Sequence, residues 1–156
     1  MTIAARLKAH LDGQNVAFET AAHPRTATAS ETAEAAHVTG DKLAKSVLIH
    51  HDDEYYLAVV PASHRVSFRA LHELLGESLA LASETEISER FDDCDMGAVP
   101  PVGDAYGVPV LLEDSLTGLD RVWFEGGDHR TLVSVKGADF DRLMGYARRG
   151  SFSRRL

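Results

Sequence analysis

A single cysteine, Cys94, stands in 156 residues. No internal disulfide can form, and a reducing cytoplasm is the simplest compartment for the chain. Asp92, Asp93 and Asp95 surround that thiol; their charge raises its pKa and opposes the thiolate, so Cys94 reads as incidental rather than nucleophilic. No apolar run approaches the ~20 residues of a helical membrane span. The opening Met1-Thr2-Ile3-Ala4-Ala5-Arg6-Leu7 leads into sequence too polar for a secretory leader. Basic residues are also scarce, 16 Lys and Arg against 24 Asp and Glu for a net charge of −8. That balance argues against broad, sequence-blind nucleic-acid binding. Internal repeats, low-complexity tracts and linkers are missing as well. With 44% hydrophobic and 26% charged residues, the chain is expected to be one domain over residues 1–156.

The shortage of positive charge is uneven. From Arg142 to Leu156 there are five arginines and no acid, whereas the first 141 residues hold eleven basic and 24 acidic side chains. The tail from about residue 147 is expected to be a solvated, partly disordered end, or else a phosphate contact.

Ile3, Leu7 and Leu11, followed by Gly13, predict a short amphipathic helix. Val16 to Glu19 reads as a strand. Thr28-Ala29-Ser30-Glu31 has the form of a capping box and predicts a helix from Ala29 to His37, broken at Gly40-Asp41. Ala44–His50 and Tyr55–Val60, joined at Asp52-Asp53, predict a hairpin whose faces are both covered. Ser67 is placed to cap a helix carrying Phe68, Leu71, Leu74 and Leu75; Ser78–Ala82 reads as a short strand; Ser83 to Glu86 is a second capping box before a helix to about Phe91. Strands are expected at Val108–Leu112, Arg121–Phe124 and Thr131–Val135, and a last helix capped by Asp139. Together these describe an α+β domain with a mixed sheet.

Two segments carry the chemical interest. Lys45-Ser46-Val47-Leu48-Ile49 sets a lysine at the mouth of an apolar strand, and Gly97-Ala98-Val99-Pro100-Pro101-Val102-Gly103 is a stiff arch bounded by glycines. A lysine facing such an arch would make a pocket with one mobile charge and a set of oriented amides, suited to a small polar ligand with a carbonyl or phosphate.

In order along the chain, His23-Pro24, the helix after Thr28, Ala44-Lys45-Ser46-Val47-Leu48, Val59-Val60-Pro61, the Gly97–Gly103 arch, Val108-Pro109-Val110 and Gly126-Gly127-Asp128-His129 resemble the YbaK / prolyl-tRNA-synthetase editing-domain superfamily of aminoacyl-tRNA deacylases. The resemblance covers residues 15 to 146. It implies a compact mixed α/β domain with a curved, barrel-like sheet and flanking helices. It also implies hydrolysis of the ester that joins a wrong amino acid to the 3′-terminal adenosine of a tRNA, the second sieve that corrects what a synthetase pocket cannot separate. The chain has no synthetase signature, so the expected form is a trans-acting editor of small residues such as Ala, Ser, Thr or Cys. Mischarged tRNA is its partner, a synthetase a second one, and no cofactor or metal is needed. On this resemblance Lys45 holds the substrate, while the amides of Gly97, Ala98 and Val99 meet the developing oxyanion. Pro100, Pro101 and Gly103 shape the arch. His23, Thr26, Ser46 and His129 line the substrate pocket. The ribose 2′-hydroxyl helps activate water. Ser46 stands where many relatives carry threonine.

Other readings remain beside this one. The fold can serve as a nucleotide- or tRNA-binding module without turnover, or act on a different ester or amide. Thr28 is explained by capping alone, and His129 by a turn. Eight histidines raise the question of metal, but His50 and His51 point to opposite strand faces, and His64 and His72 lack ligand spacing. Gly150-Ser151-Phe152-Ser153 lacks the strand–turn–helix setting of a nucleophile elbow.

Overall fold

The computed structural model describes residues 3–156; Met1 and Thr2, which open the stretch read as too polar for a leader, lie outside them. The elements in order are α1 (Ala5–Gly13), β1 (Phe18–Ala22), α2 (Ala29–Ala35), β2 (Leu43–His51), β3 (Glu54–Pro61), β4 (His64–Val66), α3 (Phe68–Leu75), β5 (Ala80–Leu81) and α4 (Glu84–Arg90), followed by β6 (Val110–Glu113), β7 (Arg121–Glu125), β8 (Thr131–Lys136), α5 (Gly137–Leu143), β9 (Arg148–Gly150) and β10 (Ser153–Arg155).

Helices begin where side chains can satisfy their free amides. Thr28 accepts from Glu31 N at the start of α2, Ser67 from Ala70 N at α3, and Ser83 exchanges bonds with Glu86 in a full capping box at α4. Two expectations fail. Helix α2 stops at Ala35, short of His37, which turns into the left-handed region at φ 57°. Helix α5 is not capped by Asp139 but begins at Gly137, whose N–H donates to Asp120 O at 2.8 Å. A Cβ at Gly137 would sit 1.5 Å from Leu119 O, so only glycine lets the chain pass.

The predicted hairpin is β2–β3, in register from Ala44↔Pro61 to His51↔Glu54. The eight-stranded sheet runs β1-β8-β7-β2-β3-β6-β9, with β5 also on β2, and is mixed because β2–β7, β3–β6 and β6–β9 are parallel. Alternation along the strands feeds two faces. Leu48, Leu57, Val59, Phe124 and Val133 pack with Leu7 and Leu11 of α1 and Phe140 of α5. Ile49, Ala58, Val60 and Leu111 pack under Leu71 of α3, and Leu43 and Leu132 under Ala33 of α2. Each face is therefore covered. Val16 is buried before the first strand, which starts at Phe18 because β1 takes its register from β8 (Phe18↔Val135).

The basic tail is ordered, contrary to its reading as a partly disordered end. β9 adds to β6 and β10 pairs with β4. The buried Phe152 pins the segment, and its N–H donates to the buried carboxylate of Glu113 at 2.7 Å. Arg148 donates to Leu74 O, Arg149 to Thr117 Oγ1, and Arg155 meets Asp41.

For function, the second edge of β2 matters most. It pairs with β7 only at Leu43 and Ala44, and with β5 only at Ile49 and His50. Leu48 O is taken by Ala82 N. Between these anchors, from Lys45 to Val47, the sheet is split.

Candidate active site

The arch closes over this split. A cavity of about 250 Å³ is lined by Ser46, Val47 and Leu48 of β2, by Leu81 of β5, Ala82 just after it and Ile87 of α4, and by Gly97 and Val99. The wall facing the arch thus starts at Ser46. Lys45 lies opposite Val60 in the β2–β3 register, on the strand face of Val47, which also lines the cavity. It stands one rung beyond the last β2–β7 pair, Ala44↔Phe124, where the two strands part beside Glu125. Its ammonium makes no ion pair among the described residues, and partial burial alone lowers its pKa. Ser46 Oγ is buried with no hydrogen-bond partner among the described residues. A buried hydroxyl in that state is rare, and its residue lines the cavity.

The arch is held at its base. Asp95 N donates to Gly127 O at 2.7 Å, and Ala98 N to Asp95 O at 3.1 Å. The second bond corrects one expectation: the Ala98 amide is committed within the arch, so it does not face a ligand. The amides of Gly97 and Val99 have no partner among the described residues. Pro100 and Pro101 are buried, and Gly103 N donates to Pro101 O at 2.9 Å. A Cβ on Gly103 would lie 2.4 Å from Val108 O. These three residues therefore support the arch from behind rather than line the cavity.

Gly97 is exposed, at φ 81°, with His129 Nε2 3.1 Å from where its Cβ would stand. His129 is itself left-handed, at φ 59°, in a turn closed by the Asp128 carboxylate, which accepts from Arg130 N and Thr131 Oγ1. Its ring is buried, and Nδ1 lies 3.0 Å from Glu125 Oε2, off the axis of a proper hydrogen bond. His23 meets the other oxygen of the same carboxylate, Nε2 to Oε1 at 2.9 Å, and its Nδ1 lies 2.8 Å from Pro24 O. Thr32 Oγ1 stands 3.3 Å from Glu125 Oε2, and Thr26 Oγ1 meets Thr32 Oγ1.

The structure therefore joins the predicted residues into two connected groups. Ser46, Gly97 and Val99 share the cavity. His23, Thr26 and His129 meet through Glu125 and Thr32, two residues that sequence reasoning missed. Their signal was weak: a glutamate closing a strand and a threonine inside a capped helix have ordinary explanations. Among the described residues no group of three or more His, Cys, Asp or Glu is arranged to hold a metal ion. Cys94 is half-buried beside Asp93 and Tyr106; desolvation first, then the acids, push its thiol up to about 12.

Fold and site define a small α+β protein with a cleft between a split strand edge and a glycine–proline arch. One solved structure with this fold is described as a candidate trans-editing enzyme for prolyl-tRNA synthetase; it is 26% identical, the match covers 97% of this chain and 96% of that one, and the TM-score is 0.82. A scaffold protein used for computational epitope grafting is similar too (25% identical, 98% and 97% covered, TM-score 0.83). The proline–tRNA ligase of Shouchella clausii (strain KSM-K16) is 30% identical over 106 residues, 67% of this chain and 18% of the ligase; that of Geobacillus sp. (strain WCH70) is 25% identical over 96 residues, covering 62% and 17%. The chain thus spans less than a fifth of the length of these relatives. The model of the aminoacyl-tRNA editing domain matches residues 23–143. The chain belongs to the aminoacyl-tRNA editing domain family.

Proposed function

We propose that the protein is a trans-acting deacylase of the cytoplasm, which hydrolyses the ester of a small amino acid on a mischarged tRNA. The observation that carries this reading is the cavity between Ser46 and the arch, in which the Gly97 and Val99 amides have no partner among the described residues. At about 250 Å³ it suits a small aminoacyl group such as Ala, Ser, Thr or Cys. The near end-to-end likeness to a candidate trans-editing enzyme supports action in trans.

An aminoacyl ester needs no strong nucleophile. Water attacks the carbonyl carbon, the bond to the ribose oxygen breaks, and the proton passes to that oxygen, leaving a free amino acid and an intact tRNA terminus. The Gly97 and Val99 amides are the donors for the oxyanion that forms. Lys45, partly desolvated and without a counter-ion among the described residues, supplies the positive charge for the phosphate or ribose at the cleft mouth. The ribose 2′-hydroxyl helps activate the water, and most of the acceleration comes from positioning.

The test is a panel of misacylated tRNAs assayed for released amino acid. Wild-type protein should release one or a few small residues. Lys45→Ala should lower kcat/KM about 10–100-fold, the worth of a charged hydrogen bond, with Tm unchanged because no ion pair is removed. Undiminished hydrolysis by Lys45→Ala refutes its role; tRNA binding without turnover of any ester favours a binding module instead.

A further inference from the structure

We propose that Glu125 is a positioning residue for this deacylation: its carboxylate holds His23 and His129 together and turns the Nε2 edge of His129 toward the arch. The inference rests on the reading just given, and its test separates the two.

Glu125 closes β7 and is 8% exposed. No lysine or arginine pairs with it among the described residues, although buried carboxylates require compensation. Its compensation is imidazole on both sides, His23 Nε2 at 2.9 Å on Oε1 and His129 Nδ1 at 3.0 Å on Oε2, with Thr32 Oγ1 at 3.3 Å. The two rings lie edge to face, 6.5 Å apart. His23 is locked from behind as well. Its Nδ1 faces the Pro24 carbonyl, which only accepts, so that nitrogen carries a proton. Its backbone N–H is tied to Arg130 O, in the turn that carries His129.

His129 adopts a conformation that glycine would take more easily, directly after a Gly126-Gly127 pair and Asp128. What the chain gains there is the ring. Its Nδ1 is buried beside a carboxylate, and a negative charge at that distance favours the proton on Nδ1. The Nε2 lone pair is then left free, at the face of Gly97 and the edge of the cleft. The off-axis Nδ1 contact leaves this nitrogen as the orphan of the network, and a small ring rotation completes the bond. Glu125 thus acts through His129, as an outer carboxylate orients a working imidazole elsewhere. Glutamine cannot reproduce this. His23, with a proton on Nδ1, meets a carboxylate through Nε2 only by holding a second proton there, and the neutral amide removes the charge that holds that proton and the one on His129 Nδ1.

The experiment reads the histidine tautomers by long-range ¹H–¹⁵N correlation in wild type and Glu125→Gln, with Tm and deacylation kinetics on the same samples. Wild-type His129 should be protonated at Nδ1 whether or not any ester is cleaved. In Glu125→Gln that pattern should be lost at His129 or at His23, with kcat/KM reduced about tenfold or more. A wild-type His129 with a bare Nδ1 overturns the proposal, and needs no variant to fold. Wild-type tautomers and rates in Glu125→Gln overturn it as well. Should no tRNA ester be cleaved by wild-type protein, the deacylase reading fails, and the role of Glu125 is judged on the spectra alone.

Discussion

Replacing Gly97 by alanine tests the arch most directly. The residue sits at φ 81°, where a side chain costs about 1–2 kcal/mol. The added methyl would also lie 3.1 Å from His129 Nε2, so ring or arch must shift by a few tenths of an ångström. In a domain of this size each kcal/mol lowers Tm by about 2–4 °C, so the strain alone predicts a drop of about 2–8 °C. Gly76 provides the matched control. It ends α3 at φ 73°, and a Cβ there meets nothing within 4 Å. Gly76→Ala should therefore show the same thermal loss with normal deacylation. Gly97→Ala should in addition lose about 10²–10³ in kcat, the usual cost of a displaced oxyanion donor. The assay is single-turnover hydrolysis of misacylated tRNA, with both variants at a temperature where each is folded. Equal rates for the two alanine variants, at equal thermal cost, would refute the assignment of the arch amides.

The remaining predictions concern charge. Arg148, Arg149 and Arg155 are held by internal partners, whereas exposed Arg154 stands opposite exposed Arg65 in the β4–β10 register, near exposed Arg69. Arg65→Ala/Arg69→Ala/Arg154→Ala should flatten the salt dependence of tRNA binding, by about 0.7–0.9 in log–log slope for each phosphate no longer neutralised; an unchanged slope leaves these residues as solvated surface. Glu86 has its carboxyl lowered from 4.5 to about 2, first by the Ser83 backbone N–H and then by the Tyr55 hydroxyl. A depressed carboxylate stabilises the fold above pH 4.5, and that contribution fades as pH falls toward 2. Melting curves of wild type and Glu86→Gln should therefore differ at pH 6 and converge toward pH 2; parallel curves would show that the capping carboxylate adds nothing through its charge. Cys94, with its thiol pushed up to about 12, should alkylate slowly at neutral pH, and Cys94→Ala should deacylate normally; fast alkylation that abolishes activity would contradict its incidental role.

Local chemistry was legible because it is written in neighbours. Ser67, Ser83 and Thr28 announced three helices, since a hydroxyl two or three residues before the first free amides has one good use. The β2–β3 hairpin followed from alternation and a polar turn. What spans the chain was hidden for the same physical reason. The split in β2 arises because β7 and β5, both well separated from it along the chain, each take only two rungs of one strand edge. No local pattern in Lys45–Val47 records a partner that stops short. The split also decides which residues border the cavity: Ser46, Val47 and Leu48 line it, a stretch that composition cannot single out. Glu125 is the sharper case. Its meaning depends on His23, 102 residues earlier, and on a turn that holds His129 left-handed. Each of the three has an ordinary reading alone. Only their convergence on one buried carboxylate makes a site, and convergence is a property of the fold.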